Sequence, residues 1–192
     1  MKGTTELTNT NQNNSNGLVI WITGLSGAGK TTLAKAIKEK FTELHQGLIL
    51  LDGDEMRQVF QNENEISLIY SKEERKNLAL KYSKICQILS RQNFNVVIAT
   101  ISMLSEIYEW NRNNLENYFE IYLDVPMSEL RSRDQKGIYS SFEKGEINNV
   151  MGLDLEVDIP IEPDIHICWN ENVSTESSVK EIYETLIRQK RM

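Results

Sequence analysis

The stretch Gly24-Leu-Ser-Gly-Ala-Gly29-Lys30-Thr31 constrains this chain more than any other feature. It fits the pattern G-x-x-x-x-G-K-[S/T], and it stands between a continuous apolar run and a helical period. With average residue usage, a chance match in a chain of this length is about 1%. Glycines let the backbone curl so that several N–H groups point at one anion, and the helix that follows adds partial positive charge. On this reading Gly24, Leu25, Ser26, Gly27, Ala28, Gly29 and Thr32 bind ATP through the loop and the helix start. Lys30 reaches the β- and γ-phosphates, and the Thr31 hydroxyl is a ligand for Mg²⁺. The plain alternative is a glycine turn that only joins a strand to a helix.

The flanks agree with the loop. Gly17–Thr23 is an unbroken apolar run with branched residues, as expected of a strand buried on both faces. From Thr31 to about His45, Leu33, Ala34, Ile37 and Phe41 recur at helical spacing. Further strands are expected at 48–51, 95–101, 119–125 and 165–169. Helices are expected from the capping box Ser71-Lys-Glu-Glu74, at 104–115, and from the box Ser178-Val-Lys-Glu181. Tyr108 and Trp110 read as helix packing. Strand–helix alternation of this kind predicts an α/β three-layer sandwich of phosphate-loop type, with a mainly parallel five-stranded sheet. In such sheets ligands bind beyond the carboxyl ends of the strands.

Two stretches depart from the rhythm. Residues 1–16 are rich in Asn and Thr, with neither an apolar signal core nor the arginines of a transit peptide. They read as a disordered tail before a domain spanning 17–192. Residues 131–163 are polar and contain Gly137, Gly145 and Gly152, which suggests a mobile lid over the site.

Charge and cysteine content narrow the partners. A formal net charge of −7 argues against a duplex nucleic-acid binder working by bulk attraction, while leaving room for a local cationic site. No apolar run is long enough to span a bilayer, so no membrane partner is expected. Cys86 and Cys168 cannot make a disulfide framework, and a reducing, cytoplasmic setting is the simpler expectation. His45 and His166 read as too few and too far apart to form a metal site with them, and Cys168 reads as core.

Asp52-Gly-Asp54-Glu-Met-Arg57 follows the second strand directly. Two carboxylates with a glycine between them can face one reaction centre, where one accepts a proton or holds Mg²⁺ through water. Arg57 adds a planar fork for a phosphate or sulfate group. A turn with Asp54 as a helix cap is the competing reading. The chain has no N-K-x-D sequence for reading guanine, which disfavours a GTPase switch, and its single short domain with a lid favours a small-molecule kinase.

Taken together these residues resemble the adenylylsulfate kinase (APS kinase) family over nearly all of 17–164. GLSGAGKTT looks like that family's loop, and LDGDEMR at 51–57 resembles its LDGD-x-x-R segment. Most specific is Arg133-Asp134-Gln-Lys136-Gly137-Ile-Tyr139, followed by Gly145-Glu-Ile147 and Gly152-Leu-Asp154. The resemblance implies transfer of the ATP γ-phosphate to the ribose 3′-hydroxyl of adenylylsulfate, giving 3′-phosphoadenylylsulfate, with MgATP and a homodimer. It implies Lys30, Asp54, Arg133 and Lys136 as catalytic residues. It implies Asp52, Asp54, Arg57, Tyr70, Arg75, Ile101, Ser102 and Lys136 at the acceptor, with Tyr70 stacking on its base.

The departures from the family gather on the acceptor side. Its FISPYR segment is Thr100-Ile-Ser-Met-Leu-Ser105 here, and Val150 or Met151 stands where it has a second stacking Phe. Leu78 replaces an Asn. Thr100-Ile-Ser-Met103 with Glu106-Ile-Tyr108 resembles a subgroup acting on cytidine diphosphoramidate in capsule modification. Adenylylsulfate and cytidine diphosphoramidate therefore both stand as acceptors, and a non-enzymatic nucleotide-binding regulator is the alternative from another class.

Overall fold

The computed structural model describes residues 16–44, 46–60 and 71–192. The expected tail, apart from Asn16, lies outside the described residues, as do His45 and Tyr70.

Strand β1 (Val19–Thr23) is buried along its whole length. It is the centre of a five-stranded sheet of order β2-β3-β1-β4-β5. The other strands are β2 (Leu48–Asp52), β3 (Asn95–Ala99), β4 (Tyr118–Asp124) and β5 (Ile165–Cys168). Every pairing within the sheet is parallel, so the expected fold class is present. Parallel strands need crossovers, and here the helices that supply them cover both faces.

On one face α1 (Lys30–Glu43) turns Leu33, Ala34, Ile37 and Phe41 onto the sheet, beside Val179, Ile182 and Leu186 of α7 (Thr175–Arg188). On the other, α3 (Lys72–Ser90) and α4 (Ser105–Asn114) contribute Ala79, Tyr82, Cys86 and Ile107. Tyr108 is buried and Trp110 packs against the same layer, as helix packing predicts. Phe119 of β4 has no exposed surface, and burying a side chain of that size contributes about 1.5–3 kcal/mol.

The order of the strands decides where a ligand can go. The chain leaves β1 toward β2 on one side and later returns to place β4 on the other. The crevice at that switch lies past the carboxyl end of β1, where the glycine loop begins.

Helix starts follow local hydrogen bonding. The Ser71 hydroxyl accepts the Glu74 N–H at 3.2 Å while the Glu74 carboxylate accepts the Ser71 N–H at 2.8 Å, so that capping box is real. The box expected at Ser178 is not a cap. Helix α7 starts earlier, with the Ser174 hydroxyl accepting the Ser177 N–H at 3.1 Å, and Ser178 lies buried within its first turns. The true cap carries Ser instead of Glu three residues on, so its signature was hidden. Strand β3 is shorter than expected because Ser102 turns the chain with φ 23°. The Thr23 hydroxyl, donating to the Ile101 carbonyl at 2.5 Å, fastens that departing segment to β1.

The polar 131–163 stretch is more regular than the sequence suggested. It carries the end of α5 (Met127–Arg133) and all of α6 (Ile138–Glu143). The Asp134 carboxylate joins them by accepting the N–H groups of Tyr139 and Ser140 at 3.0 and 2.9 Å. Short helix α2 (Gly53–Phe60) follows β2 without a break.

Candidate active site

The glycine loop adopts the curl its sequence predicts. Gly24 has φ 150°, and a Cβ there would meet the Leu123 carbonyl at 2.7 Å, so only glycine lets β1 turn this close to β4. The loop runs into α1 at Lys30 with Gly29 left-handed at φ 95°. Lys30 folds back, and its Nζ donates to the Leu25 carbonyl at 2.7 Å. Beyond the loop opens a cleft of about 900 Å³. Ser26 through Leu33 line it, together with Asp52, Asp54, Arg57, Arg133 and Lys136.

The end of β2 is joined to the loop directly. The Thr31 hydroxyl donates to Asp52 Oδ2 at 2.6 Å, and Asp52 Oδ1 accepts the Asp54 N–H at 2.8 Å. Asp52 therefore takes the capping role at α2, the role in which Asp54 was the competing reading. Asp54, in the first turn, is left to face the cleft. It pairs with Arg57 at 3.1 Å and with Lys136 from across the cleft. The Thr31 hydroxyl and the Asp52 carboxylate make an all-oxygen donor pair beside the loop, which suits a hard cation such as Mg²⁺.

The segment expected as a lid touches the loop itself. Arg133 holds Glu129 at 2.8 Å and donates to the Gly27 carbonyl at 3.2 Å. The Tyr139 hydroxyl donates to the Ser26 carbonyl at 2.8 Å. Sequence reasoning quoted Tyr139 within the motif but gave it no task.

Charge concentrates here. Burial, reinforced by repulsion from Lys136, pushes Lys30 down from its ordinary value to about 7. Burial alone would raise Asp54, but the Lys136 hydrogen bond and charge outweigh it, and with Arg57 and Lys30 they hold the carboxyl below its usual range.

The acceptor-side residues meet at an adjoining niche lined by Arg57, Arg75, Ile101 and Ser102, with Leu78, Leu104 and Met151 as aliphatic walls. Arg75 Nη2 donates to the Asn149 carbonyl at 2.8 Å. The Asp154 carboxylate accepts the N–H groups of Asn149 and Val150 at 2.7 and 2.6 Å. Gly152 lets that turn pack on the loop, since a Cβ there would meet Leu25 at 2.8 Å. Ser102 shares a 2.8 Å hydrogen bond with Thr100. All sequence-predicted site residues except Tyr70, which is outside the described residues, thus lie in the cleft, its loop or the niche.

Two groups escaped the sequence. Tyr82 lines the niche, with its hydroxyl donating to the Gly53 carbonyl at 3.0 Å. The segment after β5, including Trp169, Asn170 and Thr175, lines the cleft. Its position at a strand's carboxyl end was the available signal. Cys168 is the correction. It is exposed and not core, and its Sγ lies 3.7 Å from His166 Nε2, so this pair is not too far apart to share a ligand, as the sequence had suggested. Positions i and i+2 of a strand share a face, and β5 is an edge strand at its carboxyl tip, so this face is open. Cys86 is buried, as its helical face predicts.

The chain matches the family model described as adenylylsulphate kinase over residues 16–168. A cytidine diphosphoramidate kinase of Campylobacter jejuni subsp. jejuni serotype O:2 is 41% identical over 174 residues, covering 91% of this chain and 96% of that protein. An adenylyl-sulfate kinase of Rippkaea orientalis is 33% identical over 170 residues, covering 88% of this chain and 91% of its own. Among solved structures, the Mycobacterium tuberculosis APS kinase in complex with AMPPNP and APS has a TM-score of 0.80 at 27% identity. The match covers 90% of this chain and 98% of that one.

Proposed function

The chain belongs to the adenylylsulphate kinase family, and on that premise we propose that it transfers the γ-phosphate of ATP to the ribose 3′-hydroxyl of cytidine diphosphoramidate. Membership makes it a phosphotransferase, which removes the non-catalytic regulator. The acceptor is the finer step, and one observation carries it. The niche beside Arg57 and Arg75 has Leu104 in its wall where the family pattern has Tyr, and Met151 at or beside the place of its second stacking Phe. Losing one stacking face costs a purine about 1–3 kcal/mol, or about 5- to 150-fold in affinity. The 41% identity to a cytidine diphosphoramidate kinase, against 33% to an adenylyl-sulfate kinase, supports the same choice. Adenylylsulfate, giving 3′-phosphoadenylylsulfate, is the second reading, favoured by the family pattern at Asp52, Asp54 and Arg57.

Chemistry here is positioning and charge neutralisation. Residues Gly24–Thr32 hold the ATP phosphates through backbone N–H groups and the start of α1. Lys30 leaves the Leu25 carbonyl for the β- and γ-phosphates. Arg133 and Lys136 neutralise charge as it shifts toward the leaving oxygen. Mg²⁺ bound with the nucleotide would draw charge from the phosphates, with Thr31 and Asp52 as its side-chain oxygens. Asp54 takes the 3′-hydroxyl proton. A carboxylate held this low is a weak base, but a loose transition state needs little proton transfer early on. Lys136 exchanges Asp54 for phosphate when both substrates are present. Arg57, Arg75, Ser102 and the Ile101 wall orient the acceptor.

The kinase unit on this proposal is 17–192, with 131–163 as its lid, acting as a homodimer in the cytoplasm. Among the described residues no helix is long and apolar enough to cross a membrane. The test is ADP release with each acceptor at equal MgATP. Cytidine diphosphoramidate should give a kcat/KM at least about tenfold above adenylylsulfate. A preference of that size for adenylylsulfate overturns the choice.

A further inference from the structure

Parallel pairing of β4 with β5 sets Tyr122 opposite His166 and Asp124 opposite Cys168. In a strand every second residue shares a face, so these side chains meet at the carboxyl ends of the two strands, with Tyr122 buried beneath and Asp124, His166 and Cys168 reaching the surface. The patch is organised. The Tyr122 and His166 rings stack with centroids 5.0 Å apart, which fixes the plane of the imidazole. The Tyr122 hydroxyl donates to Asp124 Oδ1 at 3.4 Å, so the other oxygen, Oδ2, is the one turned to His166.

The contacts do not suit a nucleophilic relay. In such a relay the imidazole uses one nitrogen for the thiol and the other for the carboxylate. Here both partners converge on a single nitrogen. His166 Nε2 lies 3.0 Å from Asp124 Oδ2 and 3.7 Å from Cys168 Sγ. One nitrogen cannot donate to the carboxylate and accept from the thiol at once. Three atoms aimed at one point are what a cation requires. A tetrahedral ion with bonds of about 2.3 Å to sulfur and about 2.0 Å to nitrogen and oxygen spaces its ligands roughly 3.3–3.6 Å apart. The three ligand atoms here lie within 4.8 Å of one another, and the side chains are exposed enough to adjust.

We propose that Asp124, His166 and Cys168 form a site for a divalent transition metal of the Zn²⁺ class, with water as fourth ligand. The donor set of one sulfur, one nitrogen and one oxygen excludes Mg²⁺, which takes oxygen, and so separates this site from the one at Thr31 and Asp52. Cys168 also lines the nucleotide cleft, so the site adjoins it.

Titrating the reduced full chain with Co²⁺ tests this. The expected result is a thiolate-to-cobalt charge-transfer band that saturates at one equivalent and is displaced by Zn²⁺. The band is lost in C168S, and H166A and D124N each weaken binding at least about tenfold. The absence of a band in the unaltered chain overturns the proposal. So does a band that survives C168S, which would belong to Cys86, or unchanged affinity in H166A. All three side chains are at the surface, and the unaltered chain alone gives a decisive reading.

Discussion

The two halves of the cleft are built in different ways. On the proposed function the ATP half is one unbroken segment, Gly24–Thr32, whose recognition elements are backbone N–H groups and a helix start. The acceptor half is gathered from α2, α3, the segment after β3 and the turn at 149–154. Backbone recognition depends on glycines at fixed spacing, and the same loop serves any nucleoside triphosphate. Recognition by converging side chains is set residue by residue. The family pattern is intact in the first half and altered in the second, which fits a change of acceptor under an unchanged donor.

The sharpest way to break this division is at its donor end. Lys30→Ala should lower kcat/KM by about 10³-fold or more with either acceptor, because Lys30 is the one cationic side chain within the loop. The fold should persist, since burial already pushes the Lys30 charge down and its removal relieves that cost. Thermal melting and ADP release on the same sample check both statements. Near-normal turnover in this variant would sink the phosphate-loop role.

Lys136 bridges the halves, and it comes next in size. In the free protein it pairs with Asp54, and on the proposed function it moves to phosphate in the reaction. Lys136→Met should cost about 10²-fold in kcat with small changes in either KM. A rise confined to the acceptor KM would instead make Lys136 a binding residue only.

Legibility followed the same division. The loop, the DGD turn and the Arg133–Tyr139 run were readable because each is local and carries its spacing with it. The parallel sheet was readable from unbroken apolar strands. What was missed depended on partners far away in sequence. Tyr82 looked like one more core position of α3, and only the arrival of α2 makes its hydroxyl a tie to Gly53. Cys168 looked buried because its strand is apolar, but it lies at the open tip of an edge strand. Ser174 was passed over because its partner three residues on is Ser177, while Ser178 offered a more familiar box.

Arg75 sharpens the acceptor side. It lines the niche and also holds the 149–154 turn through the Asn149 carbonyl. Arg75→Ala should raise the acceptor KM about 10-fold, by the loss of one charged hydrogen-bonding partner. The ATP KM should stay within about twofold. Equal increases in both would mean that the turn supports the whole cleft, and the division would fail.

The smallest effect tests the donor side by pH. In the free protein Lys30 loses its proton near pH 7, well below its ordinary value. ATP phosphates favour the charged form, so bound Lys30 titrates higher, and binding takes up a proton between the two values. ATP affinity should then fall as pH rises above 7, by at most about tenfold per unit. Stability of the free protein moves the other way. The unfolded chain keeps the Lys30 proton up to its ordinary value, so above pH 7 the unfolded state binds more protons. This group then adds up to about 1.4 kcal/mol per pH unit of stability until that value is reached. Titration calorimetry in buffers of different ionisation heat should show uptake of up to one proton at pH 8, absent in Lys30→Ala. Uptake that persists in that variant would assign the proton to another group in the cleft, and the donor half would lose its one titrating element.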